Sequence, residues 1–177
     1  MAETKLPEVW LRGALPGIPA QVQPVAHALL QAQEEIHALM NHFPDELLWE
    51  RPAQVASPGF HLQHIAGVLD RLFTYAKGEQ LSAQQLDYLK AEGQPLGTTD
   101  SLLQALDKQI EISIAFLKSI DPTILVASRG VGRKLLPSTV MGLLFHATEH
   151  TMRHTGQLIV TVRVLLQGRG GGMQNQP

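Results

Sequence analysis

Apolar positions along this chain recur mostly at three, four or seven residues, the spacing that lines one side of an α-helix. In the first long segment Val22, Ala26, Leu29, Ile36, Met40 and Phe43 follow it, which predicts a helix over about residues 21–43. Pro24 is tolerated because it falls in the first turn, and Pro44 stops the helix. The stretch FPDELLWERPAQVAS keeps no period and reads as a loop broken by Pro44 and Pro52. Ser57-Pro58 then opens a second helix, with serine as the cap and proline in the first position, and Gly78 is its stop signal. Ser82-x-x-Gln85 marks the start of a short helix. A third long helix is expected over 99–120, with Leu103, Leu106, Ile110, Leu117 and Ile120 as its apolar stripe. The pattern turns β-like only in TILVASRGVGRKLLP, which predicts a short hairpin turning at Arg129-Gly130. The last and longest helix is expected over 138–167. Residues 1–18, with Pro7 and Pro16, read as an extended arm whose Trp10 packs on the body, and residues 168–177 as a frayed tail.

Four long amphipathic segments with little strand content predict an all-α fold, a four-helix bundle over residues 19–167. The length of 177 residues and 44% hydrophobic content fit one globular domain with a sizeable core. A net charge of −2, with no basic run, gives no electrostatic case for nucleic acid or an anionic membrane. Residues 1–20 hold no apolar stretch of signal-peptide length, and no window approaches ~18 uninterrupted apolar residues. The expectation is a cytoplasmic protein. Cysteine is absent, which removes disulfides, thiolate ligands and a cysteine nucleophile together.

The chemistry concentrates in HATEHTMRHTGQL, where His146, His150 and His154 recur every fourth residue. A helix advances about 100° per residue, so residues four apart project nearly the same way. With His146 at zero, His150 lies at about 40° and His154 at about 80°. Leu143, Ala147, Leu158 and Leu165 occupy the same sector, so His150 and His154 fall within the apolar face and His146 at its edge. On spacing alone, a buried histidine is more often a hydrogen-bonded core residue than a ligand. H-x-x-x-H also lacks the adjacent glutamate of the H-E-x-x-H zinc proteases. A metal site needs a third donor, and the second helix offers His61 and His64. His64 lies among Leu62, Ile65 and Leu69, whereas His61 is nearer the helix start and is expected to be wetter. His27, His37 and His42 read as surface residues or as supports behind a ligand.

At this point the pairing of GFHLQHIAGVLDRLFTYAKGE with LLFHATEHTMRHTGQLIVTVRVL resembles the DinB/YfiT-like superfamily of metal-dependent enzymes. The preceding LWERPAQVAS resembles the approach to that family's second helix, and the likeness spans roughly residues 20–167. The resemblance implies a four-helix bundle holding one divalent metal ion on three histidines, here His64, His150 and His154. Zinc or nickel is the first expectation, manganese or iron the second. Gly156-Gln157 matches the family's G-Q, which implies a glycine that admits a close neighbouring helix and a glutamine that orients a ligand. His146 matches no family ligand and is a candidate for supporting a ligand or contacting substrate.

The superfamily includes bacillithiol S-transferases and mycothiol-dependent maleylpyruvate isomerases. The resemblance therefore implies a low-molecular-weight thiol S-transferase or a hydrolase, with a small-molecule substrate. Arg71, His146 and Gln157 are the candidate helpers. Arg71 lies seven residues past His64, projects with it, and suits a substrate carboxylate. Glu149 sits too far round the helix for direct contact unless it hooks back. Two alternatives stand beside the enzyme: a non-catalytic metal-binding bundle, and a metal-free interaction module that pairs as a homodimer.

Overall fold

Caps and stops written in the sequence set most of the element boundaries. A computed structural model describes residues 6–170, with five α-helices: α1 (Gln23–Met40), α2 (Pro58–Lys77), α3 (Ala83–Ala91), α4 (Thr99–Ser119) and α5 (Val140–Gly170). Between α4 and α5 lie two short strands, β1 (Ser128–Val131) and β2 (Leu136–Thr139). The Ser57 hydroxyl accepts from the backbone N–H of Phe60 to open α2, and Gly78 closes it at φ +85°, a left-handed conformation that favours glycine. Ser82 and Gln85 form a reciprocal capping box on α3. Thr98 caps α4 through the N–H of Ser101.

Four long helices build the bundle. α1 packs on α5 and α4, and α2 packs on the same two, so the cyclic order is α1–α5–α2–α4. The apolar stripes meet at the centre, where Leu29, Ile36, Leu62, Ile65, Leu69, Leu106, Leu144 and Leu158 are fully buried. α3 is short and leans on α2. No helix among the described residues is long and apolar enough to cross a membrane.

The structure departs from the sequence reading in four places. α1 ends at Met40, before Pro44, because His42 takes a left-handed φ of +57° that turns the chain and lets Phe43 return to the core. The hairpin forms, but Arg129 and Gly130 lie inside β1, paired with Ser138 and Pro137. Its turn falls on residues 132–135, where Gly132 and Leu135 both have positive φ. In the arm, Trp10 is 60% exposed, and Val9 and Ile18 are buried instead. Arm residues 6–18 are fastened to α1 by Val9 N–H donating to Gln31 and by Arg12 paired to both oxygens of Glu34. α5 continues past the expected end to Gly170, and tail residues 171–177 lie outside the described residues, as do arm residues 1–5.

Candidate metal centre

The bundle order places the start of α2 against the middle of α5, and that is where the histidines meet. His64 from α2 and His150 and His154 from α5 each offer a donor atom, and these atoms lie within 4.8 Å of one another. All three are half-buried. The Nε2 atoms of His64 and His150 stand 3.0 Å apart. Two nitrogens on one tetrahedral zinc ion, each bonded at ~2.0–2.1 Å, would stand about 3.3 Å apart. The ring centroids of His154 lie 4.5 Å from His64 and 4.6 Å from His150.

The sequence reading missed the residue that orients His64. Glu92, just past the end of α3, reaches across α2, and its Oε2 lies 2.6 Å from His64 Nδ1. A carboxylate only accepts, so Nδ1 carries the proton and Nε2 keeps its lone pair for the cluster. The other oxygen of Glu92 accepts from Arg71 Nη1 at 2.6 Å. Both partners of that ion pair are almost buried, with side chains 10% and 5% exposed. Arg71, expected to meet a substrate carboxylate, is thus occupied by a carboxylate of the protein itself. Gly67 makes the arrangement possible: a Cβ there would overlap Glu92 Oε1 and stand 2.7 Å from Arg71 Nη1.

His61 corrects a second expectation. It is 3% exposed rather than wet, and its Nδ1 lies 3.0 Å from His154 Nδ1. The loop before α2 lies close by: the turn Pro52–Gln54 packs on α5, and Val55 and Ala56 line a cleft together with His61. Trp49 anchors that loop against Gly59, where a Cβ would stand 2.7 Å from the indole ring.

Burial favours the neutral form of His61, His150 and His154. Loss of water pushes His61 down to about 4, with the neighbouring His64 adding to the effect. Burial likewise pushes His154 down to about 3, followed by the charges of His64 and His150. His150 is lowered for the same reasons. A neutral imidazole is the form that ligates a metal ion. His150 Nδ1 is buried with no hydrogen-bond partner. Converging ring nitrogens and a carboxylate-oriented imidazole fit a divalent cation.

Two clefts flank the cluster. One, of about 280 Å³, is lined by His64, His146 and His150 and by Val68, Leu72, Tyr75, Leu81 and Leu89, with Arg71 at its wall. The other, of about 520 Å³, runs past His61, Arg153, Gly156, Gln157 and Val160. Gln157 therefore faces that second cleft and is exposed. Gly156 corrects a third expectation: no helix approaches it, and a Cβ there would meet open space. His146 is half-exposed at the rim, with Nδ1 2.6 Å from Glu149 Oε1, while Glu149 Oε2 pairs with Arg153. His27 contacts the carbonyl of Gly13 and His37 contacts Asp107, both away from the cluster. A further cleft, of about 590 Å³ beside His37 and Asp107, contains none of the clustered histidines.

Comparison with known proteins follows the same lines. A sequence model described as the DinB superfamily matches residues 28–158. No curated protein matches the chain. A crystal structure of a Streptococcus pneumoniae protein, solved in a structural genomics programme, superposes with a TM-score of 0.58 at 13% identity. The alignment covers 81% of this chain and 88% of that one, and it shows a shared fold.

Proposed function

The chain belongs to the DinB superfamily, and from that membership and the histidine geometry we propose a metal-dependent enzyme acting on a small molecule. In this reading His64, His150 and His154 hold one divalent cation, zinc or nickel before manganese or iron. The observation that carries it is the convergence of three donor atoms within 4.8 Å, beside a cleft that reaches two of the three rings. Three protein donors with an adjoining cleft suit an open coordination sphere better than a closed structural one.

The cation supplies Lewis acidity toward a reacting oxygen or sulfur. The chain's own residues do the rest. Glu92 fixes the tautomer and ring plane of His64, and Arg71 holds Glu92. Val68, Leu72, Leu81 and Leu89 offer an apolar wall that excludes water from one side of a bound molecule. His146 stands at the rim of that cleft, where it is placed to touch substrate. The reaction class is transfer of a low-molecular-weight thiol to a small electrophile, or hydrolysis of a small molecule.

Elemental analysis of tag-free protein, dialysed against metal-free buffer, tests the site. The parent should retain about one metal ion per chain, and a His64/His150/His154 triple-alanine variant none. Thiol-transfer and hydrolysis screens with that ion then test the activity. No metal in either protein after incubation with zinc, nickel and manganese would end the enzyme reading.

A further inference from the structure

A second group of donors on α5 lies outside the three-histidine set except for one shared member. His146, Glu149 and His150 each offer a ligand atom, and these atoms lie within 4.8 Å of one another. We propose that they form an outer site for a second divalent cation, which shares His150 with the inner one.

The helix itself assembles this group. Spacings of three and four residues put all three side chains on one face, so no loop has to be ordered to bring them together. His146 Nδ1 and Glu149 Oε1 are already 2.6 Å apart, and the rings of His146 and His150 have centroids 5.3 Å apart. His150 has the capacity to serve two centres. Its Nε2 faces His64 at 3.0 Å, while its Nδ1 is buried and has no hydrogen-bond partner. A neutral imidazole has a single lone pair, so His150 would serve both ions as an imidazolate: its ring proton passes to solvent when the second cation binds, leaving one nitrogen for each ion. Two imidazoles and one carboxylate make a donor set that suits zinc, nickel, cobalt or copper.

The outer site is the weaker one, for two reasons. The His146 side chain is 50% exposed and Glu149 29%, so water competes for the ion and for the donors. Arg153 Nη2 lies 2.6 Å from Glu149 Oε2 and opposes any cation there. Both His146 and His150 line the apolar cleft, so an ion held by them sits at the margin of the space proposed for substrate.

Equilibrium dialysis of tag-free protein against graded zinc, with elemental analysis of the retained ion, tests the proposal. The parent should pass from one to two zinc ions per chain as free zinc rises. His146→Ala and Glu149→Gln should each stop at one. His64→Ala should keep a weak ion that disappears when His146→Ala is added. All these changes leave the leucine core untouched, and circular dichroism verifies that each variant is folded. A parent that saturates at one ion, with a His146→Ala titration superimposable on it, overturns the outer site and leaves the inner one standing. A second ion that survives both His146→Ala and Glu149→Gln lies elsewhere and also overturns it. His64→Ala with unchanged tight binding refutes the inner assignment instead, and the His146 and Glu149 variants still decide the outer one.

Discussion

Glu92 is the residue on which the centre's precision depends. It holds two partners at 2.6 Å, the half-buried imidazole of His64 and the buried guanidinium of Arg71. Each partner needs it for a different reason. His64 needs an acceptor that fixes Nδ1 as the protonated nitrogen, a support whose removal typically costs ~10–100-fold in metal affinity. Arg71 needs a counter-charge, because a buried cation left unpaired costs about 3–5 kcal/mol. Glu92→Gln should therefore weaken metal binding by about tenfold or more and also lower the thermal midpoint. The two effects separate in the double variant Arg71→Met/Glu92→Gln. It should recover stability, since no buried charge is stranded, while its metal affinity stays low. Calorimetric titration beside a thermal melt reads both quantities. Recovery of metal affinity together with stability would mean that Glu92 serves the fold alone.

At the scale of elements, Gly67 is the position where α2 lets the end of α3 lie across it. A methyl group there would overlap Glu92 Oε1 and crowd Arg71 Nη1 and the ring of Tyr88. These are the ends of side chains rather than backbone, so Gly67→Ala should fold. Alanine is also the better helix former, by about 1 kcal/mol in an exposed helix interior. The expected outcome is a protein that melts near the parent temperature but binds zinc several-fold more weakly, because the carboxylate has been pushed off His64. Unchanged zinc affinity in a folded Gly67→Ala variant would show that the carboxylate finds its place regardless. The contrast between donors and support also explains what the sequence made legible. His64, His150 and His154 were readable because helical period ties side-chain direction to residue number, and the three sit on apolar stripes. Glu92 was not, because its role depends on how a nine-residue helix leans on its neighbour, and no local pattern encodes that angle. The burial of His61 was hidden in the same way, because it depends on the path of the loop before α2, where Ala53 and Gln54 take positive φ without glycine and no local pattern marks the turn. Gly156 misled in the opposite direction, since a glycine beside a ligand reads as a close approach and here borders open space.

For the molecule as a whole, the cost of assembling imidazoles in its interior appears as a dependence of stability on pH. Without a metal ion, folded His61 stays neutral down to about 4 and His154 down to about 3, burial being the leading cause in both. In the unfolded chain both titrate near 6.5. Above about 6.5 neither state binds these protons, so stability is indifferent to pH there. Below it the unfolded chain takes up protons that the folded one refuses, and unfolding is favoured progressively until the folded groups titrate in turn. The apo-protein should therefore hold a constant urea midpoint from pH 8 to 7 and lose stability steadily between about 6.5 and 4.5. Glu34, Asp45, Asp121 and Glu149 are held below their ordinary values of 3.8 to 4.5, so they add to the loss only as the pH approaches those values, at the bottom of this window. Replacing both histidines, as His61→Gln/His154→Gln, should reduce the dependence over the same range to the part that His150 retains. Urea melts in the presence of chelator at pH 7.5, 6.0 and 5.0 measure it directly. A parent midpoint as high at pH 5.0 as at pH 7.5 would mean that the cluster accepts protons in the folded state at no cost. The close-set neutral rings would then not be what the interior enforces.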